Sequence, residues 1–309
     1  MHRISLVVAT KDRPADLRTL LDSLRRQFLG PDEIIVVDAS QKSVDSILMD
    51  FPELTILYRS HWPPSAAAQR NAGILACDSA ATLIGFADDD TTFEPQAFAN
   101  MRSFWNDASA SVLGAAFNLC NYPERGSSPL KHSWLAERIG LYSAKPGMVS
   151  RSGWQTMIGK VAETQFVDWL PSSAALFRRE VFDQNPFDEI FDSYSYLEDL
   201  DLSYTLSRMG RLAVVADAGY CHFSSPHGRL STRHFGRCEV RNRLYLVRKH
   251  HLSLARCYVG LAIRLAMSVA SGIAHPYTGQ LNRALGNIEE MMKLRAVPVN
   301  RVPSRTSTL

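Results

Sequence analysis

Three consecutive aspartates, Asp88-Asp89-Asp90, follow an apolar run that ends at Ala87. Like charges crowded together repel one another, so such a cluster is favoured where a cation neutralises it. Carboxylate oxygens are the ligands that Mg²⁺ and Mn²⁺ prefer, and the strand ends of an open α/β sheet are where ligands bind. The sequence therefore indicates a divalent-cation site. The alternative is a solvated acidic turn that caps the helix after Pro95.

A cation site of this kind needs a β-sheet to position its ligands, and the first part of the chain has the sequence pattern of such a sheet. Apolar, β-branched runs alternate with leucines and alanines at helical spacing, and Pro or polar residues separate them. This pattern predicts βαβ units, that is, an α/β fold with a mainly parallel sheet and helices on both faces. The predicted strands are Ile4–Ala9, Glu33–Asp38, Leu54–Tyr58 and Thr82–Ala87, and the predicted helices run from Pro14 to Gln27, from Val44 to Asp50 and from Ser65 to Ala76.

The ends of these strands are expected to lie along one edge of the sheet. Right-handed crossovers would bring Asp12, Asp38 and Asp88 to that edge. The segment Thr10–Pro14 contains no glycine, although a dinucleotide fingerprint would require several after the first strand. The pattern therefore indicates a nucleotide-binding sheet that is not a Rossmann dehydrogenase.

Length and composition fit one large α/β domain, or a domain plus an extension. The chain has 309 residues, of which 46% are hydrophobic and 21% charged. Five scattered cysteines without CxxC spacing argue against a disulfide framework or a zinc site and fit a reducing compartment. No signal-peptide pattern precedes the first strand. The apolar segment Leu252–Ala274 carries Arg256 and Arg264, so we expect it not to cross a bilayer.

Five segments in this order resemble glycosyltransferase family 2, and the resemblance covers about residues 3–225. It implies a GT-A type nucleotide-sugar-binding fold. Two further segments, Val167–Arg179 and Arg241–Leu244, are similar to those of bacterial rhamnosyltransferase-like members. The predicted organisation is a GT-A domain at 1–228 with an insertion at about 122–163, a basic helical extension at 229–297 and a disordered tail at 298–309. The five segments are Val8–Pro14, Ile35–Ser40, Gln69–Gly73, Phe86–Asp90 and Glu198–Ser203, the last followed by Arg208 and Gly210.

The resemblance implies that a sugar moves from a nucleoside-diphosphate sugar to an acceptor hydroxyl with inversion of the anomeric centre. Mg²⁺ or Mn²⁺ would neutralise the leaving diphosphate. The expected metal ligands are Asp90, Asp88 and His222. The residues expected to contact the donor nucleotide are Thr10, Asp12, Arg13, Asp38, Arg70, Asn71, Asp88 and Asp89.

Asp199, with Glu198 beside it, is the candidate catalytic base. An aspartate is ionised at neutral pH and can accept the proton of the attacking hydroxyl. The acids at this position begin a predicted helix, where they would also interact well with the helix dipole. That structural role is the one expected for Asp201.

Several of these residues have structural roles as alternatives. Asp89 can be a solvated turn carboxylate. His222 can be structural, with His227 as the competing histidine. Arg70 can be an exposed helix arginine instead of a phosphate ligand. Trp169 either stacks on an acceptor sugar or fills the core beneath the insertion.

The C-terminal part of the chain is basic, with nine Lys/Arg between Arg229 and Arg264 against one acid. Amphipathic helices here are predicted to approach anionic lipid, which would suit an acceptor carried on a lipid diphosphate. The expected acceptor is a glycan or a lipid-linked acceptor. The alternative is a solvated basic face on helices that pack against the domain. The predicted location is cytoplasmic, with 229–297 on the inner face of the plasma membrane. The residues that suggest the lipid contact are Arg237, Arg241, Arg248 and Lys249 with Leu244, Leu246 and Val247.

Two other functions fit part of the pattern. A nucleotidyltransferase also uses paired aspartates and Mg²⁺, but it would carry a Gly/Lys-rich phosphate loop after the first strand, which this sequence lacks. A nucleotide-sugar-binding module without catalysis would keep the acidic strand edge. Nucleic acid is not an expected partner, because this edge is acidic and aromatic residues do not alternate with basic ones. The expected function is glycosyl transfer, and the resemblance implies a setting in cell-envelope polysaccharide or O-antigen assembly.

Overall fold

A computed structural model describes residues 2–122, 134–192, 195–223, 225 and 230–295 of the protein. Within them, nine strands form one sheet. The strands in chain order are β1 (Ile4–Thr10), β2 (Glu33–Asp38), β3 (Ile56–Ser60), β4 (Leu83–Asp88), β5 (Thr91–Phe93), β6 (Val112–Leu119), β7 (Gln165–Val167), β8 (Ala174–Arg178) and β9 (Arg211–His222).

The sheet has a parallel half and a mixed half. Its order is β3-β2-β1-β4-β8-β6-β9-β5, with β7 paired to β9. The strands β1 to β4 pair in parallel, as the sequence predicts. Beyond β4, the strand β8 runs antiparallel to both of its neighbours, and β6 and β9 are parallel to each other. The predicted α/β sheet is therefore confirmed, and its parallel pairing is concentrated in the half formed by β1 to β4.

The helices pack on both faces of the sheet and in a C-terminal group. In α1, Pro14 occupies the first turn and the buried leucines follow helical spacing. In α3, the hydroxyl of Ser65 accepts a hydrogen bond from the N–H of Ala68 at 3.4 Å, as an N-cap does. The helices are α1 (Pro14–Arg25), α2 (Asp45–Leu48), α3 (Ala66–Ala76), α4 (Ala97–Asp107), α5 (Trp134–Arg138), α6 (Glu198–Ser207), α7 (Thr232–Lys249), α8 (Leu254–Ala274) and α9 (Gln280–Arg295), with 3-10 turns at Arg179–Asp183 and Pro276–Thr278.

Two hydrophobic cores lie on opposite faces of the sheet. Leu6 and Val8 of β1 pack with α1 and α4 on one face, whereas Val7 packs with α3 and α6 on the other. At Gly73, α3 comes so close to β1 that an added Cβ would lie 2.2 Å from a methyl group of Val7. Glycine at this position therefore allows α3 to bring its polar residues to the strand edge.

The C-terminal helices share a third core with the sheet domain. Trp169, Phe191 and Leu200 of the domain pack in one buried cluster with Leu244 and Val247 of α7. The extension is therefore built onto the domain. The predicted boundary near residue 228 and the predicted tail at 298–309 lie outside the described residues.

Candidate active site

The acidic cluster lies where β4 ends, at the edge of the sheet. Asp88 is the last residue of β4, and Asp89 and Asp90 form the turn into β5. The strand β5 pairs with β9 so that Thr91 is opposite His222. This register brings the imidazole of His222 next to Asp90. One ligand atom from each of Asp88, Asp90 and His222 lies within 4.8 Å of the other two.

Asp90 is held by two groups of its own chain. Nε2 of His222 lies 2.8 Å from its Oδ1, and the backbone N–H of Ser225 donates to its Oδ2 at 2.8 Å. Burial alone would raise the pKa of Asp90, but the contacts with His222 and Ser225 outweigh it and lower that pKa. Burial opposes protonation of His222, yet Asp90 raises the imidazole pKa above its ordinary value. The lowered pKa keeps Asp90 ionised near neutral pH, the form in which a carboxylate binds a metal ion.

Asp89 points away from this cluster and binds the end of β1. Its Oδ2 accepts a hydrogen bond from the hydroxyl of Thr10 at 2.7 Å, and its Oδ1 accepts one from Nη1 of Arg13 at 2.9 Å. Burial raises the pKa of Asp89 to about 7, although Arg13 and Thr10 act in the opposite direction. Nη1 of Arg13 also lies 3.5 Å from Oδ2 of Asp90. Asp89 is therefore a buried brace for the turn.

Arg70 links the acidic cluster to the helix that carries the candidate base. It is buried on α3, and its Nη2 donates to Oδ1 of Asp88 at 3.0 Å. Its Nη1 donates to Oε1 of Glu198 at 2.5 Å. The alternative of an exposed helix arginine does not describe this residue. A charge-assisted pair of this kind fixes β4 and the start of α6 relative to each other.

Asp199 and Glu198 begin α6 after a strained residue. Leu197 precedes them with a φ of 80°, which is in the left-handed region that a leucine rarely adopts. Oδ1 of Asp199 accepts a hydrogen bond from the N–H of Leu200 at 2.7 Å. Burial raises the pKa of both Glu198 and Asp199 above their ordinary values. A carboxylate with a raised pKa is a better match to proton transfer near neutral pH.

One cavity of about 690 Å³ joins these groups. Its volume falls within the range of small-ligand sites. The predicted site residues that line it are Thr10, Arg13, Arg70, Asp88, Asp89, Asp90, Trp169, Glu198, Asp199 and His222. The carboxylates at the end of β4 and the carboxylate of Asp199 therefore face the same space.

Trp169 fills the core beneath the insertion, one of the two roles considered for it, and its stacking on an acceptor sugar stays a prediction. It is buried in the C-terminal core, and its Nε1 donates to the carbonyl of Thr156 at 3.0 Å. It also contributes to the wall of the cavity. Gln155 and Met157 of the insertion line the same cavity, so the described part of the insertion covers the site.

Three predicted donor-binding residues lie beside the cavity and not in its wall. Oδ1 of Asp38 accepts a hydrogen bond from the backbone N–H of Ser40, and its Oδ2 accepts from the N–H of Val44 and the hydroxyl of Tyr58. Asp12, at a φ of 55°, contacts the loop after β2 through Ser40 and Gln41. The side-chain amide of Asn71 donates to the carbonyl of Phe187 and accepts from its backbone N–H, and it also donates to Oε1 of Glu189. These contacts brace the loops around the site, and the donor-binding roles of the three residues stay predictions.

The cavity also contains residues that the sequence reasoning missed. Ser173 and Tyr220 are joined by a 3.1 Å hydrogen bond between their hydroxyls. Gln155 and Tyr196 come from separate loops, and Arg243 of α7 donates to both, at 3.0 and 3.3 Å. Ser173 lies within the segment Val167–Arg179 and Arg243 within Arg241–Leu244, but no sequence signal marks Gln155 or Tyr196. The missed residues in the wall include Lys11, Tyr122, Gln155, Ser173, Tyr196 and Tyr220.

Comparison with known proteins agrees with this architecture. S. aureus TarS in complex with UDP-GlcNAc is similar over 96% of this chain and 82% of its own, with a TM-score of 0.57 and 16% identity. The mannosyltransferase PcManGT from Pyrobaculum calidifontis, in complex with GDP-Man and Mn²⁺, is similar over 94% of this chain and 87% of its own, with a TM-score of 0.53 and 14% identity. At these identities the likeness establishes the fold, which is the GT-A fold of glycosyltransferases.

The family follows from the sequence match. The model of glycosyl transferase family 2 matches residues 5–185, and the chain belongs to that family. A protein of Bacillus subtilis (strain 168), named uncharacterized glycosyltransferase YwdF, is 37% identical over 94 residues. That match covers 30% of this chain and 34% of the relative, so it spans about a third of the relative's length.

Proposed function

We propose that the chain is a metal-dependent, inverting glycosyltransferase that uses a nucleoside-diphosphate sugar. The observation that carries this proposal is a single cavity lined by the cluster Asp88, Asp90 and His222 and also by Asp199. Sugar transfer needs a site that stabilises the leaving diphosphate and a base that accepts the proton of the incoming hydroxyl. Family membership and the GT-A fold support the same reaction.

The donor set of the cluster fits a hard divalent ion, because two of its three groups are carboxylates. Bound there, Mn²⁺ or Mg²⁺ would neutralise the charge of the leaving diphosphate. Arg13, beside Asp89 and Asp90, adds a fixed positive charge on the same side. The nucleotide sugars bound by TarS and PcManGT, and the Mn²⁺ in the latter, support a nucleotide-sugar donor and a metal.

Asp199 is the base in this proposal. One oxygen of its neighbour Glu198 is engaged by Arg70, so Glu198 serves to hold the helix start in place. Asp199 would accept the proton as the acceptor hydroxyl attacks the anomeric carbon opposite the leaving group. Attack from that side inverts the configuration.

The acceptor in this proposal is a glycan or a lipid-linked glycan in cell-envelope polysaccharide or O-antigen assembly in the cytoplasm. Trp169, Gln155 and Tyr196 supply an aromatic and polar wall on the side of the insertion and α6. Aromatic faces and amide groups are suited to the apolar faces and hydroxyls of sugars.

The test begins with a panel of nucleotide sugars, screened by thermal shift with and without Mn²⁺. For the donor that stabilises the protein, release of nucleoside diphosphate is measured for wild type, Asp199→Asn and the exposed control Asp50→Asn. Loss of a general base should slow release by about 10²–10⁴-fold with donor binding retained, whereas Asp50→Asn stays active. Turnover by Asp199→Asn at the wild-type rate would exclude Asp199 as the base. A product with retained anomeric configuration would exclude the inverting mechanism.

A further inference from the structure

The surface formed by α5 and the outer side of α8 is strongly apolar, and we call it the α5–α8 face. Its members are exposed: Trp134 is 69% accessible, Val259 50% and Ile273 69%. A groove between the two helices is lined by Trp134 and Leu135 of α5, by Ile139 just after α5, and by Ala255 and Val259 of α8. Exposed apolar surface of this extent marks an interaction site.

The helix α8 is held in the fold by one side only. Cys257, Leu261 and Ser268 are buried on its inner side, and an added Cβ at Gly260 would lie 2.7 Å from the ring of Trp154. The outer side carries Ala255, Tyr258, Val259, Ala262, Ala266, Ala270 and Ile273, all exposed and none charged. At 1.5 Å per residue, the 21 residues of α8 form a stripe about 31 Å long.

The charges around this stripe are mainly positive, and the one acid on the two helices is the exposed Glu137 of α5. The helix α8 has no acidic residue, and Arg256 donates through its Nε to the carbonyl of Ile139, which follows α5. Arg151 lies at the start of α8, where its carbonyl accepts from the N–H of Ser253. Among the described residues, no carboxylate forms an ion pair with Arg138, Arg151 or Arg248. An apolar strip with an aromatic residue and unpaired arginines at its border matches the chemistry of an anionic lipid surface.

We propose that the α5–α8 face binds the surface of an anionic membrane, with α8 lying in the plane of the interface. By length and composition α8 could also span a bilayer, since its mean hydropathy is 1.6 and 28% of its apolar window is buried. Spanning would require α8 to leave the fold, because Arg264 of α8 pairs with the buried Glu239 of α7 at 3.3 Å. A second copy of the chain is disfavoured, because a symmetric contact would bring two positive borders together.

This surface differs from the one that the sequence suggests. Leu244, Leu246 and Val247 of α7 are buried in the third core. Arg241 pairs with Asp192, and Lys249 pairs with Asp188 and Asp201. The apolar side of α7 is thus used for packing on the domain, and the surface free to meet lipid is on α5 and α8.

Vesicle flotation of the full chain tests the proposal. Wild type should float with vesicles of phosphatidylglycerol and phosphatidylcholine and not with phosphatidylcholine alone, and added salt should weaken binding. The double variant Val259→Glu/Ile273→Glu should bind about tenfold or more weakly, because both charges would enter the lipid interface. The control Leu75→Glu, at a site 88% exposed on α3, should float like wild type. Thermal melting checks that all variants fold.

A second comparison separates the charge contribution. Arg138→Glu/Arg248→Glu should lower binding to the anionic vesicles, whereas Arg59→Glu on β3 should not. The proposal is overturned if wild type stays unbound on anionic vesicles, if the Val259/Ile273 variant floats like wild type, or if light scattering finds a wild-type dimer that Val259→Glu dissociates. Resistance of the bound protein to carbonate extraction would likewise overturn the in-plane arrangement. Flotation needs no donor, so its failure would leave the proposed transfer reaction untouched.

Discussion

At the scale of single residues, the carboxyl group of Asp199 makes the pH dependence of transfer predictable. Burial raises its pKa above the ordinary range of an aspartate, near 4. The base works only when ionised, so the rate should be full above the raised pKa and fall as pH drops through it. The acid limb of kcat, measured with saturating donor and metal, should therefore lie clearly above pH ~4. An acid limb of kcat at or below pH ~4 would contradict the assignment of the buried Asp199 as the base.

The three neighbouring aspartates should differ in their effect on metal binding. Asp90 contributes a ligand atom to the cluster, whereas both oxygens of Asp89 bind Thr10 and Arg13. Calorimetric titration with Mn²⁺ in the presence of nucleoside diphosphate should find binding lost in Asp90→Asn. In Asp89→Asn it should be weakened only by about tenfold, as for residues that orient ligands. Equal effects of the two substitutions would refute this division of roles.

At the scale of elements, α7 holds the helix that carries the candidate base. The buried Asp201 of α6 pairs with Nζ of Lys249 at 2.6 Å and with Nε2 of His250 at 2.8 Å. The helix dipole alone, the role expected for Asp201 from sequence, does not account for these contacts. Lys249 also contacts Asp188 at 2.7 Å, so this one ammonium group joins α7, α6 and the loop before α6.

Removal of that ammonium group should loosen α6. Lys249→Met leaves the buried Asp201 with fewer partners and should lower the free energy of unfolding by roughly 1–3 kcal/mol. It should also lower kcat more than it changes the KM for the donor, because Asp199 is on the same helix. The control Lys293→Met removes an exposed ammonium group that lies 3.7 Å from Glu290 and should cost less than about 0.5 kcal/mol. Equal urea-unfolding curves for the two variants would show that the contact has no such role.

The three C-terminal helices are joined by one buried carboxylate. Glu239 of α7 accepts hydrogen bonds from Arg283 of α9 at 2.6 and 3.0 Å and lies 3.3 Å from Arg264 of α8. Burial opposes ionisation, but these arginines outweigh it and lower the pKa of Glu239 from its ordinary value of 4.5. The stabilisation by Glu239 is therefore complete above pH 4.5 and is lost as pH falls through the lowered pKa.

Urea unfolding across pH measures this contribution. Glu239→Gln should be less stable than wild type by about 3 kcal/mol at neutral pH, since a buried ion pair loses one partner. The difference should shrink as pH falls below the ordinary glutamate range, because wild type then loses the same charge. A difference that does not change with pH would mean that Glu239 acts through packing alone.

At the scale of the whole molecule, the parts near the motifs could be predicted from sequence. The predicted bounds of β2 match the structure at both ends, and those of β4, α3 and the start of α6 match to within a residue. Apolar periodicity and the Pro, Ser and Gly residues that end or begin elements are local signals, so the sequence reveals these bounds. The ten predicted site residues in the cavity wall belong to such segments or lie at strand ends. The family and the GT-A fold are confirmed.

The parts that depend on distant packing could not be predicted. The strand β8 pairs antiparallel with β4, and no local sequence pattern encodes this long-range pairing. The burial of Arg70 between Asp88 and Glu198 joins three distant segments, and a helix arginine is ordinarily exposed. The hydrogen bonds of Asp38 to its own loop and the third core beneath α7 likewise follow from the tertiary structure.

The central claim is that a cation site and a base face each other across one cavity. Diffraction from crystals grown with Mn²⁺ and a nucleotide sugar, using the anomalous signal of manganese, tests it most directly. We predict a peak about 2 Å from oxygens of Asp90 and of the donor diphosphate, with His222 next to it. The carboxylate of Asp199 should face the sugar from the opposite side. A manganese peak elsewhere, or a donor bound with Asp199 turned away from the sugar, would contradict the account.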